Sequence, residues 1–72
     1  MTLNETQQDI VALVIKGMTN QQIAEQLCFS VDRIKKDMKI IYKHYKIKAP
    51  AQTKRAVLVR EVVKIEMSKM MI

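Results

Sequence analysis

This chain is poor in the residues that build loops, staples and metal sites. Its 72 residues include one glycine, one proline, one cysteine, no tryptophan, one phenylalanine and two tyrosines. A single cysteine excludes an intrachain disulfide. Cys28 and the only histidine, His44, make too small a set for a zinc site, so no metal and no cofactor are expected. One glycine excludes a glycine-rich phosphate loop, and no nucleophile–base pair can be read, so an enzyme is not expected. With so little Gly and Pro, no β-hairpin signal competes with helix. The apolar runs are short, as from Ile10 to Ile15, and none could span a bilayer. No basic segment followed by a long apolar run opens the chain, so no signal peptide is expected. A free thiol without an export signal reads as cytoplasmic.

Acidic residues are scarce in one half only. Residues 1–32 hold Lys16 against Glu5, Asp9, Glu25 and Asp32, a net −3. Residues 33–72 hold the other twelve Lys and Arg against Asp37, Glu61 and Glu66, a net +9. A uniform basic bias speaks mainly to solubility, whereas a bias confined to one element suggests a polyanion-binding surface. A single core in a chain this short rarely supplies more than about 3–5 kcal/mol. Dimerisation is the expected further source of stability.

Four helices can be read, in one all-α domain over residues 1–72. The first spans about 5–16. Asn4 is its cap, Gln7 sits three residues on, and Leu3 can fold back on the core. Ile10, Leu13 and Val14 follow helical spacing, and Gly17 supplies the left-handed stop. The second spans about 20–27, with Thr19 and Gln22 as a capping box, Ile23 and Leu27 as the apolar stripe, and a small Ala24. The third spans about 31–46, capped by Ser30, with Asp32 at the positive end of the helix dipole. Ile34, Met38, Ile41 and Tyr45 form its inner face. Lys36, Lys39 and Lys43 point away from that stripe, flanked by Arg33 and Lys35.

The fourth helix spans about 51–68, with Pro50 fitting its first turn. It is apolar on more than one side. Leu58, Val62 and Ile65 form one stripe, and Ala56, Val59, Val63 and Met70 form another, rotated by about 100°. The first stripe can cover the domain. The second, with Met67, needs a partner, and a twofold-related copy is the simplest one. Met67, Met70 and Met71 read as a loose end.

The stretch Gly17-Met18-Thr19-Asn20, Ile23-Ala24, Leu27 and Ser30, followed by a basic helix, has the layout of a helix-turn-helix over about 19–46, whose second helix enters the DNA major groove. On these residues, with Leu3-Asn4, Asp9-Ile10-Val11, Leu13, Arg33-Ile34-Lys35 and Ile41-Tyr42, the chain resembles the LuxR/GerE-type helix-turn-helix family without gaps from Leu3 to about Ile47. It departs from the family pattern at Thr6-Gln7, where an Arg-Glu pair is usual, at Arg33 for Thr, and at Asp37 for His. The join from Ile47 to Ala56 is about three residues longer than usual. The resemblance implies a stand-alone, GerE-like DNA-binding domain whose C-terminal helix dimerises.

Lys35, Lys36 and Lys39 are candidates for base edges, and Arg33 for a phosphate or a guanine edge. Lys43, with Lys46 and Lys48, would touch phosphates or nothing. Thr19, Asn20 and Gln21 suit a backbone phosphate, although Thr19 also reads simply as a cap. Ser30 is first a cap. Cys28 reads as a turn residue without chemistry, and His44 as a helix-flank residue. Asp37 puts an acid where a phosphate neighbour is expected, and Ile40 points to the same face. The expectation is a homodimeric, sequence-specific transcription regulator of double-stranded DNA, with a larger regulator or RNA polymerase as further partners. The alternative is an interaction module, an antagonist or co-regulator that kept the fold but not operator recognition. A promoter-reading fragment similar to that of a sigma factor is a third reading, disfavoured by the lack of flanking sigma regions.

Overall fold

The computed structural model describes residues 2–70, and Met71 lies outside them. The described residues form an all-α domain of four helices: α1 (Glu5–Ile15), α2 (Asn20–Leu27), α3 (Val31–His44) and α4 (Lys54–Met70). Side-chain caps start the first three. The Asn4 Oδ1 accepts from the Gln7 N–H at 2.8 Å, and the Gln7 Oε1 accepts from the Asn4 N–H at 3.1 Å. Thr19 and Gln22 repeat the reciprocal arrangement. The Ser30 Oγ accepts from the Arg33 N–H at 3.1 Å. Each cap satisfies backbone donors that a helix start leaves unpaired, and each is worth about 1 kcal/mol.

Gly17 ends α1 at φ +89°, with the Met18 N–H reaching back to the Leu13 carbonyl. An added Cβ there would meet nothing within 4 Å. The backbone angle, rather than space, therefore calls for glycine. Cys28 ends α2 in the same left-handed region, and the Phe29 N–H reaches the Ala24 carbonyl.

The core gathers at the crossing of α1, α2 and α3, with α4 laid against α1. Ile10, Ile23, Ile34, Ile41 and Leu58 are fully buried. Met38, Val14 and Ala24 join them, and Leu3 folds back from ahead of its cap as the sequence suggests. Burying a side chain of this size gains about 1.5–3 kcal/mol, so the isoleucines dominate. Tyr45, expected on the inner face of α3, and Leu27 are half-buried at the margin.

Four boundaries differ from the sequence expectation, the first being that α1 stops at Ile15 rather than 16. The third helix stops at His44 rather than 46, because Lys46 adopts φ 55° and the Ile47 N–H closes on the Tyr42 carbonyl at 2.9 Å. That turn drops Ile47 onto the core. The fourth helix begins at Lys54 rather than 51. The Pro50 carbonyl accepts from the N–H groups of Thr53 and Lys54, which makes 51–53 a separate turn. The helix also runs to Met70 rather than 68.

On α4 only Leu58 and Val62 are buried. Ile65, expected in the same stripe, is 41% exposed, because Glu66 and Lys69, rather than Ile65, follow Val62 along the side of α4 that borders α1. The second stripe is divided: Val59 is half-buried and packs against the core, unlike the free face expected of it, whereas Ala56, Val63, Met67 and Met70 are exposed.

Candidate nucleic-acid interface

The α2–turn–α3 unit is held from the inside. Ile34, Met38 and Ile41 are buried against α1 and α2, which fixes how α3 rotates about its axis. On the helix that rotation leaves Lys35, Lys36, Lys39 and Lys43 exposed. Ile40, 38% exposed, lies among them in sequence. Three residues, Cys28, Phe29 and Ser30, separate the two helices.

Arg33 is held at the first turn of α3. Its guanidinium carbon sits 3.8 Å from the centroid of the Phe29 ring, within cation–π range. Its Nε lies 3.8 Å from the Asp37 Oδ2, one helical turn on. Among the described residues, neither Nη of Arg33 has a hydrogen-bond partner within the chain, and the side chain is 53% exposed.

Asp37 does not face outward as the sequence suggests. Its side chain is only 16% exposed, and its Oδ1 accepts from the Gln7 Nε2 of α1 at 3.4 Å. Its Oδ2 is buried and has no hydrogen bond, only the Arg33 charge at 3.8 Å. The acid thus faces α1 and the base of Arg33, not the space beyond the lysines. Gln7, the one buried polar residue of the domain among those described, was unforeseen in this role.

At the start of α2 the three candidates differ. The Thr19 hydroxyl accepts from the Gln22 N–H at 3.2 Å. Gln21 is exposed. Asn20 is half-buried and already engaged, since its Oδ1 accepts from the Arg55 Nη1 at 2.8 Å, while Arg55 Nη2 donates to the Met18 carbonyl. Arg55 therefore fastens the first turn of α4 to the entrance of the helix-turn-helix. No local sequence signal marks this tie, because its partners lie 35 and 37 residues away.

The far end of α3 is aromatic and basic. Lys54 from α4 sits 5.2 Å from the centroid of the Tyr42 ring, and His44 meets Tyr45 edge to face at 4.8 Å. Burial pushes the Tyr42 hydroxyl above its usual pKa, with the Arg55 charge acting the other way. Burial, helped by Glu66, does the same to Tyr45.

Cys28 is exposed, and no cluster of three or more His, Cys, Asp or Glu that could hold a metal occurs among the described residues. No described helix is long and apolar enough to cross a membrane. No protein-family model, no curated protein and no solved structure matches the chain.

Proposed function

We propose that this chain is a sequence-specific DNA-binding transcription regulator of the LuxR/GerE type, acting in the cytoplasm as a small homodimer. The observation that carries the reading is the division of α3. One face is locked into the core by Ile34, Met38 and Ile41, and the opposite face offers Lys35, Lys36, Lys39 and Lys43, with Asp32 of the first turn the one exposed acid of the helix. In this reading α3 enters the major groove. Lys35, Lys36 and Lys39 read base edges, the free fork of Arg33 meets a guanine edge or a phosphate, and Lys43 neutralises a phosphate. Gln21, the Thr19 hydroxyl and the amide nitrogen of Asn20 border a strand, and Ser30 serves as the cap. The stripe of Ala56, Val59, Val63, Met67 and Met70, exposed except at the half-buried Val59, pairs two copies, so that two α3 helices reach successive grooves about one helical turn apart.

Asp37, turned toward α1, no longer argues against a phosphate neighbour. The exposed Ile40 still favours the second reading, an interaction module that pairs with a larger regulator or RNA polymerase. Selection of binding sites from random duplexes at near-physiological salt separates the two. A defined palindromic motif, with relaxed preference at particular base pairs in Lys36→Ala and Lys39→Ala, supports DNA reading. Salt-labile binding blind to sequence, or unchanged binding in both variants, gives the lead to the interaction module.

A further inference from the structure

The corner between α3 and α4 carries a second concentration of positive charge. Lys39 and Lys43 from α3, Lys46 and Lys48 from the join, and Lys54 from α4 line one open hollow of about 570 Å³. Ile40, Tyr42 and Ile47 supply the rest of its lining, and no acid enters it. Three elements thus bring five ammonium groups to one place without a counter-charge.

Folding alone does not account for this gathering. Like charges converging on one hollow repel, and the negative end of the α3 dipole offsets only the nearest of them. Lys46 is the sharper observation. It stands at φ 55°, a conformation in which a residue with a Cβ is strained and glycine is at ease. The turn into Ile47 needs that angle but not a lysine. The strained position nonetheless presents a cation to the hollow.

The shape points to an extended polyanion. A 14-residue α3 is about 21 Å long, whereas the major groove is about 12 Å wide. With its first turns in the groove, the last turns of α3 pass out over the bordering strand. The hollow lies at that end. Phosphates succeed one another every 3.4 Å or so of helix axis along a strand, so several lysines can each meet one. Ile40, 38% exposed, can lie against the apolar faces of the intervening sugars.

We propose that the outer part of this hollow, carried by Lys46, Lys48 and Lys54, is a binding site for the phosphate backbone of duplex DNA flanking the sequence that α3 reads, Lys39 being left to the base edges. It supplies affinity without sequence preference, and it rests on the DNA reading above. The test replaces its outer lysines as Lys46→Asn, Lys48→Gln and Lys54→Gln together, asparagine being chosen because it tolerates the left-handed turn. The Lys→Arg triple variant serves as the rescue. Binding is titrated over a salt series on a selected duplex, on a scrambled one, and on the selected duplex trimmed on the flank beyond α3.

Three phosphate contacts contribute about 2.7 to the log–log salt slope, so over a roughly fourfold rise in salt the neutralised variant should lose about 40-fold less affinity than the parent. Selected and scrambled duplexes should weaken equally, trimming should lower the parent's slope and leave the variant's alone, and the arginine variant should keep the parent slope. An unchanged slope with duplex binding retained overturns the proposal and leaves the hollow to an acidic protein segment. Weakening confined to the selected duplex also overturns it, because the lysines would then read bases. Failure of the parent protein to bind any duplex overturns the DNA reading itself.

Discussion

Arg55→Met tests whether α4 is fastened to the helix-turn-helix by the tie seen at Met18 and Asn20. Methionine keeps an unbranched, helix-compatible stem and removes only the guanidinium. Two donor bonds are lost, to the Asn20 Oδ1 at 2.8 Å and to the Met18 carbonyl. A hydrogen bond from a charged donor is worth about 1.5–3 kcal/mol when its partners stay dry. Here Arg55 is only half-buried and Thr19 beside it is exposed, so water can replace part of what is lost. The expected cost is therefore about 1–2 kcal/mol in all, below the sum for two dry bonds. In a domain of this size each 1 kcal/mol moves Tm by about 4–8 °C, so thermal unfolding followed by circular dichroism should shift down by roughly 5–15 °C. Asn20→Ala in the same background gives the pairwise term, expected at about 0.5–1.5 kcal/mol of coupling. Arg60→Met, on an exposed part of the same helix, should leave Tm within a degree or two. Equal shifts for Arg55→Met and Arg60→Met, or additive effects of Arg55→Met and Asn20→Ala, would refute the tie.

Val59→Glu with Val63→Glu should yield a folded monomer with weakened duplex binding; a parent protein that sediments as a monomer at tens of micromolar (roughly the regime of weak dimers), with binding unaffected by the change, removes the dimer. Asp37→Asn should cost at most about 1 kcal/mol, since its ionic partner Arg33 is over half exposed. It should also change duplex affinity by no more than about 3-fold, a shift well under 1.4 kcal/mol, and a gain tenfold or greater in titrations would mean that the carboxylate faces DNA. The raised Tyr42 and Tyr45 hydroxyls mean that the folded chain keeps protons which the unfolded chain releases. Their contribution is full below about pH 10 and is lost as pH rises through their folded values. Resistance to urea unfolding should therefore fall on the alkaline side, and less so in Tyr42→Phe and Tyr45→Phe; an alkaline slope in both variants identical to the parent's would contradict the burial of these hydroxyls.

What could be read directly from the sequence was local. Asn4-x-x-Gln7, Thr19-x-x-Gln22 and Ser30 are signals in which a short side chain meets a backbone N–H three residues away, and nothing distant enters. The inner face of α3 was equally legible, because Ile34, Met38 and Ile41 recur at helical spacing. The boundaries at 44 and 54 were not. Lys46 carries no glycine signal for its left-handed turn, and Pro50 is as compatible with a turn ahead of a helix as with its first position. Ile65 shows the remaining limit. Spacing assigns it to the stripe of Leu58 and Val62, but which of Ile65 and Glu66 turns toward α1 depends on how the two helices are set against each other.

Site legibility divides along the same line. The exposed lysines followed from the buried stripe, since fixing one face of a helix fixes the other. Asp37 and Asn20 were misjudged in their surroundings because each is claimed by a residue from another element, Gln7 in α1 and Arg55 in α4. Asp37, an acid on the α3 helix, is drawn inward by Gln7 and Arg33. Asn20, the polar group nearest the α4 start, is drawn to Arg55, so that cation is spent inside the domain while Lys35, Lys36, Lys39 and Lys43 have no ion-pair partner among the described residues. A merely solvated lysine face would gain from acids one turn away, because such pairs contribute a few tenths of a kcal/mol each on a helix surface. Of the two acids on α3, Asp37 is turned away, and Asp32, exposed one turn ahead of Lys35 and Lys36, forms no ion pair with either. From Lys35 to Lys43 the exposed face of α3 thus carries four cations and no exposed acid, a reason beyond the helix-turn-helix layout to propose a polyanion against it.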